Sequence, residues 1–154
     1  MVKRMGRNSK EGLDYFSHDC DISDDEKMQL LQAECGIIGY AVFLKLLERI
    51  YRNGYFLDVS DKFISIFSMK NSIEKDVCKN VIDVCIKEDL FNKNLYENYG
   101  ILTSHGIQKR YLHAVGRRKA VYVYGDIMLI DVNINGKYDN INASNDYRGT
   151  HSIV

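Results

Sequence analysis

From Gly39 to about Asn53, the residues Val42, Phe43, Leu46, Leu47 and Ile50 recur at three- and four-residue intervals, with Lys45, Glu48, Arg49 and Arg52 between them. That period places one apolar stripe along an α-helix and leaves the opposite side to solvent. Asn53-Gly54 follows as a left-handed stop, and Tyr55-Phe56-Leu57-Asp58-Val59 then alternates as a short strand does.

Upstream, an acidic run (Asp19, Asp21, Asp24, Asp25, Glu26) precedes Met28, Leu30, Leu31 and Cys35. Ser23 or Asp24 is placed to cap a helix there, and Gly36 is expected to end it. Downstream, Asp61 to Lys70 reads as a short helix with Phe63, Ile64 and Phe67 inward. Ser72 is the expected cap of the next helix, reaching Glu88, with Ile73, Val77, Val81, Val84 and Cys85 on its buried stripe.

Leu90-Phe91 and Ile101-Leu102-Thr103 read as two short strands around a polar loop, and Ser104 caps a last helix through Ile107, Tyr111, Leu112 and Val115. Two helices joined by a tight turn and followed by strand, loop and strand make a winged helix-turn-helix. The expected class is therefore mainly α with a small β-wing (α+β), the domain running from 12 to 119. Ahead of it, residues 1–11 form a basic arm with Lys3, Arg4, Arg7 and Lys10. After it, residues 120–132 form either a hairpin about Gly125-Asp126 or a docking segment, and the Asn-, Asp- and Gly-rich stretch 133–154 is expected to be a disordered tail.

Several blocks carry a family likeness. Gly12-Leu13-Asp14-Tyr15-Phe16, Ala33-Glu34-Cys35-Gly36 through Gly39-Tyr40, Arg49 to Tyr55, Tyr99 to Ser104, and Gly106-Ile107-Gln108-Lys109-Arg110-Tyr111 occur in that order. The chain thus resembles the N-terminal domain of DnaD-like phage replisome organisers over roughly Gly12 to Lys119. The resemblance implies a winged-helix module acting in replication initiation in the cytoplasm of a bacterial host. It also implies DNA as partner, self-association, and a replicative helicase or helicase loader as a further partner. Longer members of that family continue into a second helical domain, whereas this chain stops at Val154.

The helix after Ser72 is the candidate recognition helix, with Lys75, Lys79 and Asn80 on its polar face. Glu74, Asp76 and Asp83 share that helix, so a merely solvated face with local ion pairs is the competing reading. Lys109, Arg110, Arg117, Arg118 and Lys119 form a second candidate, a phosphate-binding patch that the basic arm would extend. Its competing reading is a helix C-terminus favoured by the helix dipole. Tyr15, Phe16, Tyr40, Phe43, Tyr51 and Tyr55 fit a core and its rim better than a base-stacking platform.

Lysine plus arginine and aspartate plus glutamate each number 21, so nucleic-acid binding has to arise from local patches. The four cysteines form no CxxC pair and are expected to be reduced, with Cys35, Cys78 and Cys85 acting as small apolar side chains. His18-Asp19-Cys20-Asp21 has metal-ligand types but no second cluster nearby, so neither metal nor cofactor is expected. No apolar run approaches the roughly 20 residues that span a bilayer, so no membrane partner is expected. Nucleophile elbow, phosphate-binding glycine loop and HExxH are missing from the sequence, which points away from an enzyme.

Overall fold

The computed structural model describes residues 11–134 and 136–147. The basic arm expected at 1–11 therefore lies, except for Glu11, outside the described residues. Among these the fold is mainly helical with two small sheets: α1 (Glu26–Asn53), β1 (Leu57–Asp58), α2 (Asp61–Lys70), α3 (Lys75–Lys87), α4 (Lys93–Tyr99), β2 (Ile101–Leu102), α5 (His105–Ala114), β3 (Val121–Tyr124) and β4 (Ile141–Ser144).

The acidic run does initiate α1, but through Asp25, whose carboxylate accepts from the backbone N–H of Lys27 (2.9 Å) and Met28 (3.3 Å). Ser23 and Asp24 are instead taken up in a 3-10 turn, Ile22–Asp24. Gly36 does not end the helix. It breaks the helical geometry at φ 70°, ψ −165°, a conformation open to glycine, and α1 resumes on the far side. The helix ends where Asn53-Gly54 predicts, Gly54 donating its N–H to Ile50. By length and composition alone α1 contains a stretch apolar enough to cross a membrane, 18 residues of mean hydropathy 1.6, which a reading run by run passes over because charges interrupt it. Here it is the central helix of a core, burying Met28, Leu31, Val42, Phe43, Leu46, Leu47, Ile50 and Tyr51.

Helix α3 packs chiefly on α1 and also on α2. Its start differs from the expectation at Ser72, which adopts φ 55° in the turn after α2 and lets Ile73 donate to Ser68. Helical geometry then begins at Lys75, with no side-chain cap at Glu74. The buried face consequently runs through Cys78, Val81, Ile82 and Cys85, and Val77 lies outside it at 37% exposure.

The largest difference falls at the expected wing. Leu90-Phe91 forms no strand, and the polar stretch read as a loop is α4, capped by the Asn92 carboxamide on Leu95 N–H (2.9 Å). Only Leu95 of that helix is buried, so its sequence has the composition of a turn. β2 pairs antiparallel with β1, Leu57 opposite Leu102.

A second core cluster gathers Tyr55, Ile101, Tyr111, Leu112, Val115, Val121, Val123 and Ile127. The hairpin alternative at 120–132 is not formed: β3 pairs in parallel with β4, Val121 opposite Ile141. Residues 136–147, read as part of a disordered tail, thus return to the domain. Asn140 ties them down by donating to the carbonyls of Val115 (3.0 Å) and Arg118 (2.9 Å). Tyr147 N–H donates to the Asp126 carboxylate (3.0 Å).

Candidate nucleic-acid interface

The α3 candidates all lie on its exposed side, but their surroundings differ. Lys79 Nζ stands 3.9 Å from the Asp61 carboxylate at the start of α2, and Asn80 Nδ2 is 3.7 Å from Cys35 Sγ on α1. Lys75, at the N-terminal end of the helix, is exposed. The Lys79–Asp61 ion pair, exposed to water, contributes about 0–1 kcal/mol, and the Asn80 contact to sulfur is long, so Lys79 is open to exchange its partner for a phosphate.

The second set divides into two roles. Lys109 and Arg110 line a groove of about 590 Å³ between α5 and the extended segment 13–17. Arg117 and Lys119 are exposed beyond the end of α5. Arg118 instead holds the chain: its guanidinium donates to the carbonyls of Glu11 (3.2 Å) and Gly12 (2.8 Å), and the Tyr111 hydroxyl also donates to Glu11 (2.9 Å). Gly12 is pressed so closely on the Arg52 carbonyl that an added Cβ would overlap it. Arg118 is thereby a clasp for the N-terminal segment, a role that sequence alone, showing one more cation in a basic run, does not reveal.

The segment 11–18 is fixed further by Leu13 N–H donating to Tyr51 (2.8 Å) and by Phe16 stacking on the Tyr51 ring at 4.7 Å. Burial raises the Tyr51 phenol above its ordinary pKa, and the neighbouring Arg110 opposes that shift. Of the aromatic residues weighed in the sequence, Phe43, Tyr51 and Tyr55 are buried, whereas Tyr15 is 87% exposed on the rim of the groove. The available signal was the Tyr15-Phe16 pair itself, since neighbours in an extended segment point in opposite directions. His105 and His113, which sequence reading passed over, line the same groove.

His18 hydrogen-bonds Tyr40 at 2.9 Å, and among the described residues no group of three or more His, Cys, Asp or Glu is arranged to hold a metal. The four cysteines are free thiols; burial pushes Cys78 and Cys85 above the ordinary thiol pKa, which disfavours the reactive thiolate.

What these features define is a mainly helical α+β domain whose candidate cations fall into two separate groups, those on α3 interleaved with exposed Glu74, Asp76 and Asp83. The chain belongs to the Lin1244/Lin1753-like, N-terminal family, whose model matches residues 15–107. It is similar to an "Uncharacterized phage-related protein Lin1244/Lin1753" of Listeria innocua serovar 6a, 38% identical over 148 residues that cover 92% of this chain and 48% of the relative. The chain therefore spans about half the length of that relative. No solved structure matches.

Proposed function

We propose that this chain is a non-enzymatic DNA-binding module of a phage or prophage replication-initiation protein, a winged-helix variant in which α2 and α3 form the helix-turn-helix. The observation that carries this reading is the α2–α3 pair: two packed helices joined by a four-residue turn, with β1 immediately before them and Lys75 and Lys79 on the outer side of the second. The β1–β2 pair supports it as the remnant sheet of such a fold, with α4 in the place of the wing. The phage-related name of the relative agrees with the DnaD-like resemblance in the sequence. In this reading the module works in the host cytoplasm and helps to assemble a helicase or helicase loader at the origin.

A second reading, a self-associating or partner-holding module, is favoured by large apolar side chains left exposed on three helices: Ile37 on α1, Ile66 and Met69 on α2, and Val77 on α3. Titration of duplex DNA over a salt series, with light scattering on the same sample, tests both. Binding that weakens steeply with salt is expected of the first reading. No complex at about 50 mM salt, with a concentration-dependent oligomer instead, would reject it in favour of the second.

A further inference from the structure

We propose that the groove between the segment 13–17 and α5 holds unpaired nucleotides of a single-stranded nucleic acid, one base on the Tyr15 ring and the neighbouring phosphates on Lys109 and Arg110. The inference rests on the nucleic-acid reading above, but on a different surface from α3.

The first wall of the groove is a fixed piece of extended chain. Arg118 and Tyr111 hold its start, the Leu13–Tyr51 hydrogen bond holds its middle, and Phe16 is committed to the Tyr51 ring. Tyr15 is thereby turned outward on a backbone that is already ordered. An aromatic ring so presented has two side-chain torsions to lose on stacking, a small entropic cost compared with ordering a mobile loop.

The second wall is α5. His105, Lys109 and His113 follow one another at intervals of four and share a face of that helix, with Arg110 beside Lys109. The lining contains no aspartate or glutamate, so these cations meet no acid within the groove. Its floor is apolar where Leu13, Phe16 and Ala114 contribute. The adjoining groove, which shares His105, Gly106 and Arg110, is lined by Asp19, Asp21, Asp24 and Asp25. An anionic chain is therefore favoured on the Tyr15 side of α5 and repelled on the other.

An exposed ring, an apolar floor and the cation Lys109, with Arg110 shared between this groove and the acidic one and bonded to the Tyr51 hydroxyl, together match the chemistry of a nucleotide strand, whose bases stack on aromatics while its phosphates follow positive charge. A duplex has its bases already stacked and would leave Tyr15 without a role. The volume, about 590 Å³, lies within the roughly 300–1,000 Å³ of ligand pockets, which restricts the contact to a short stretch of strand.

The test is fluorescence anisotropy of the full chain with a labelled oligo-dT of about 12 nucleotides, within the site sizes of roughly 4–16 known for strand-binding folds, and with a duplex of equal length. Tyr15→Ala is expected to weaken oligo-dT binding roughly fivefold to a hundredfold while Tyr15→Phe keeps it, with circular dichroism unchanged in both. Lys109→Ala is expected to flatten the slope of log affinity on log salt by about 0.7. Lys75→Ala with Lys79→Ala is expected to leave oligo-dT binding as it was. Wild-type affinity for oligo-dT in Tyr15→Ala, or no oligo-dT binding by the wild-type chain, overturns the proposal. If duplex is still bound through α3, the functional reading survives that result. Conversely, Tyr15-dependent oligo-dT binding without duplex binding would remove α3 and keep the groove, and failure of both probes would remove both.

Discussion

Gln108, fully buried on α5, donates from its carboxamide to the carbonyl of Ile127 at 3.0 Å and so holds the chain beyond β3 against the helix. The same carboxamide accepts from Leu129 N–H (2.7 Å) and donates to the Thr103 hydroxyl (3.2 Å), which in turn donates to the Tyr55 carbonyl. With both its oxygen and its nitrogen engaged, this side chain organises the second core cluster and directs residues 125–129 away from a hairpin with β3.

Gln108→Leu conserves volume but leaves the buried Ile127 carbonyl and the half-buried Leu129 N–H without partners. Each such group costs about 1–3 kcal/mol, so a loss of about 2–4 kcal/mol is expected in thermal or urea melts. A melt indistinguishable from wild type would show that water replaces the carboxamide.

Deletion after Lys119 removes β3, β4 and the partners of Gln108 and uncovers Tyr111, Leu112 and Val115. Although sequence reading had the domain complete by that point, the truncated chain is expected to melt at lower temperature with reduced cooperativity. Calorimetry checks this, and an unchanged transition would mean that the second cluster adds nothing to the first.

On α3, Val81 is 1% exposed and Val77 is 37% exposed. Val81→Asp places an unpaired charge in the first core cluster and is expected to unfold the domain, whereas Val77→Asp should cost less than about 1 kcal/mol. Circular dichroism melts of the two variants decide whether the helix is oriented as described.

Among the cations at the end of α5, Arg118→Ala is expected to lower the melting temperature because it frees the Gly12 carbonyl and leaves that of Glu11 to the Tyr111 hydroxyl alone. Arg117→Ala and Lys119→Ala should leave the melt unchanged. If they neutralise phosphates, each flattens the salt dependence of duplex binding by about 0.9 in log–log slope. Equal melts for all three variants would refute the clasp.

Alkaline pH should destabilise the fold. Burial raises Tyr51, Tyr55 and Tyr111 above the ordinary 10.0 and Cys78 and Cys85 above the ordinary 9.0. Above those ordinary values the unfolded chain loses protons that the native state still holds, so unfolding free energy falls as pH rises. The contribution is complete below about pH 9 and is lost progressively above it. Urea midpoints from pH 7 to pH 11 measure it; a constant midpoint over that range would contradict the burial of these groups.

The sequence by itself determined the elements whose signal is local. The i, i+3, i+4 stripe of Val42 to Ile50 makes the second half of α1 whatever surrounds it, Ser104 caps α5 through Ile107 N–H at 3.1 Å, and Asp61–Lys70 folds as its pattern requires. Lys109, Arg110, Arg117 and Lys119 were legible as a basic group because charge is a property of composition. Tertiary structure alone decided what depends on partners remote in the chain. Helix α4 has little apolar pattern and is secured by one buried leucine and an asparagine cap, while β3 chose β4 over its nearer neighbour because Gln108 and Asn140 hold the intervening chain. Arg118 became a clasp and Tyr15 an exposed ring for the same reason. A side chain's role is set by the free energy of the contacts it can reach, and for these residues the decisive contacts lie up to 107 positions away, beyond any local periodicity.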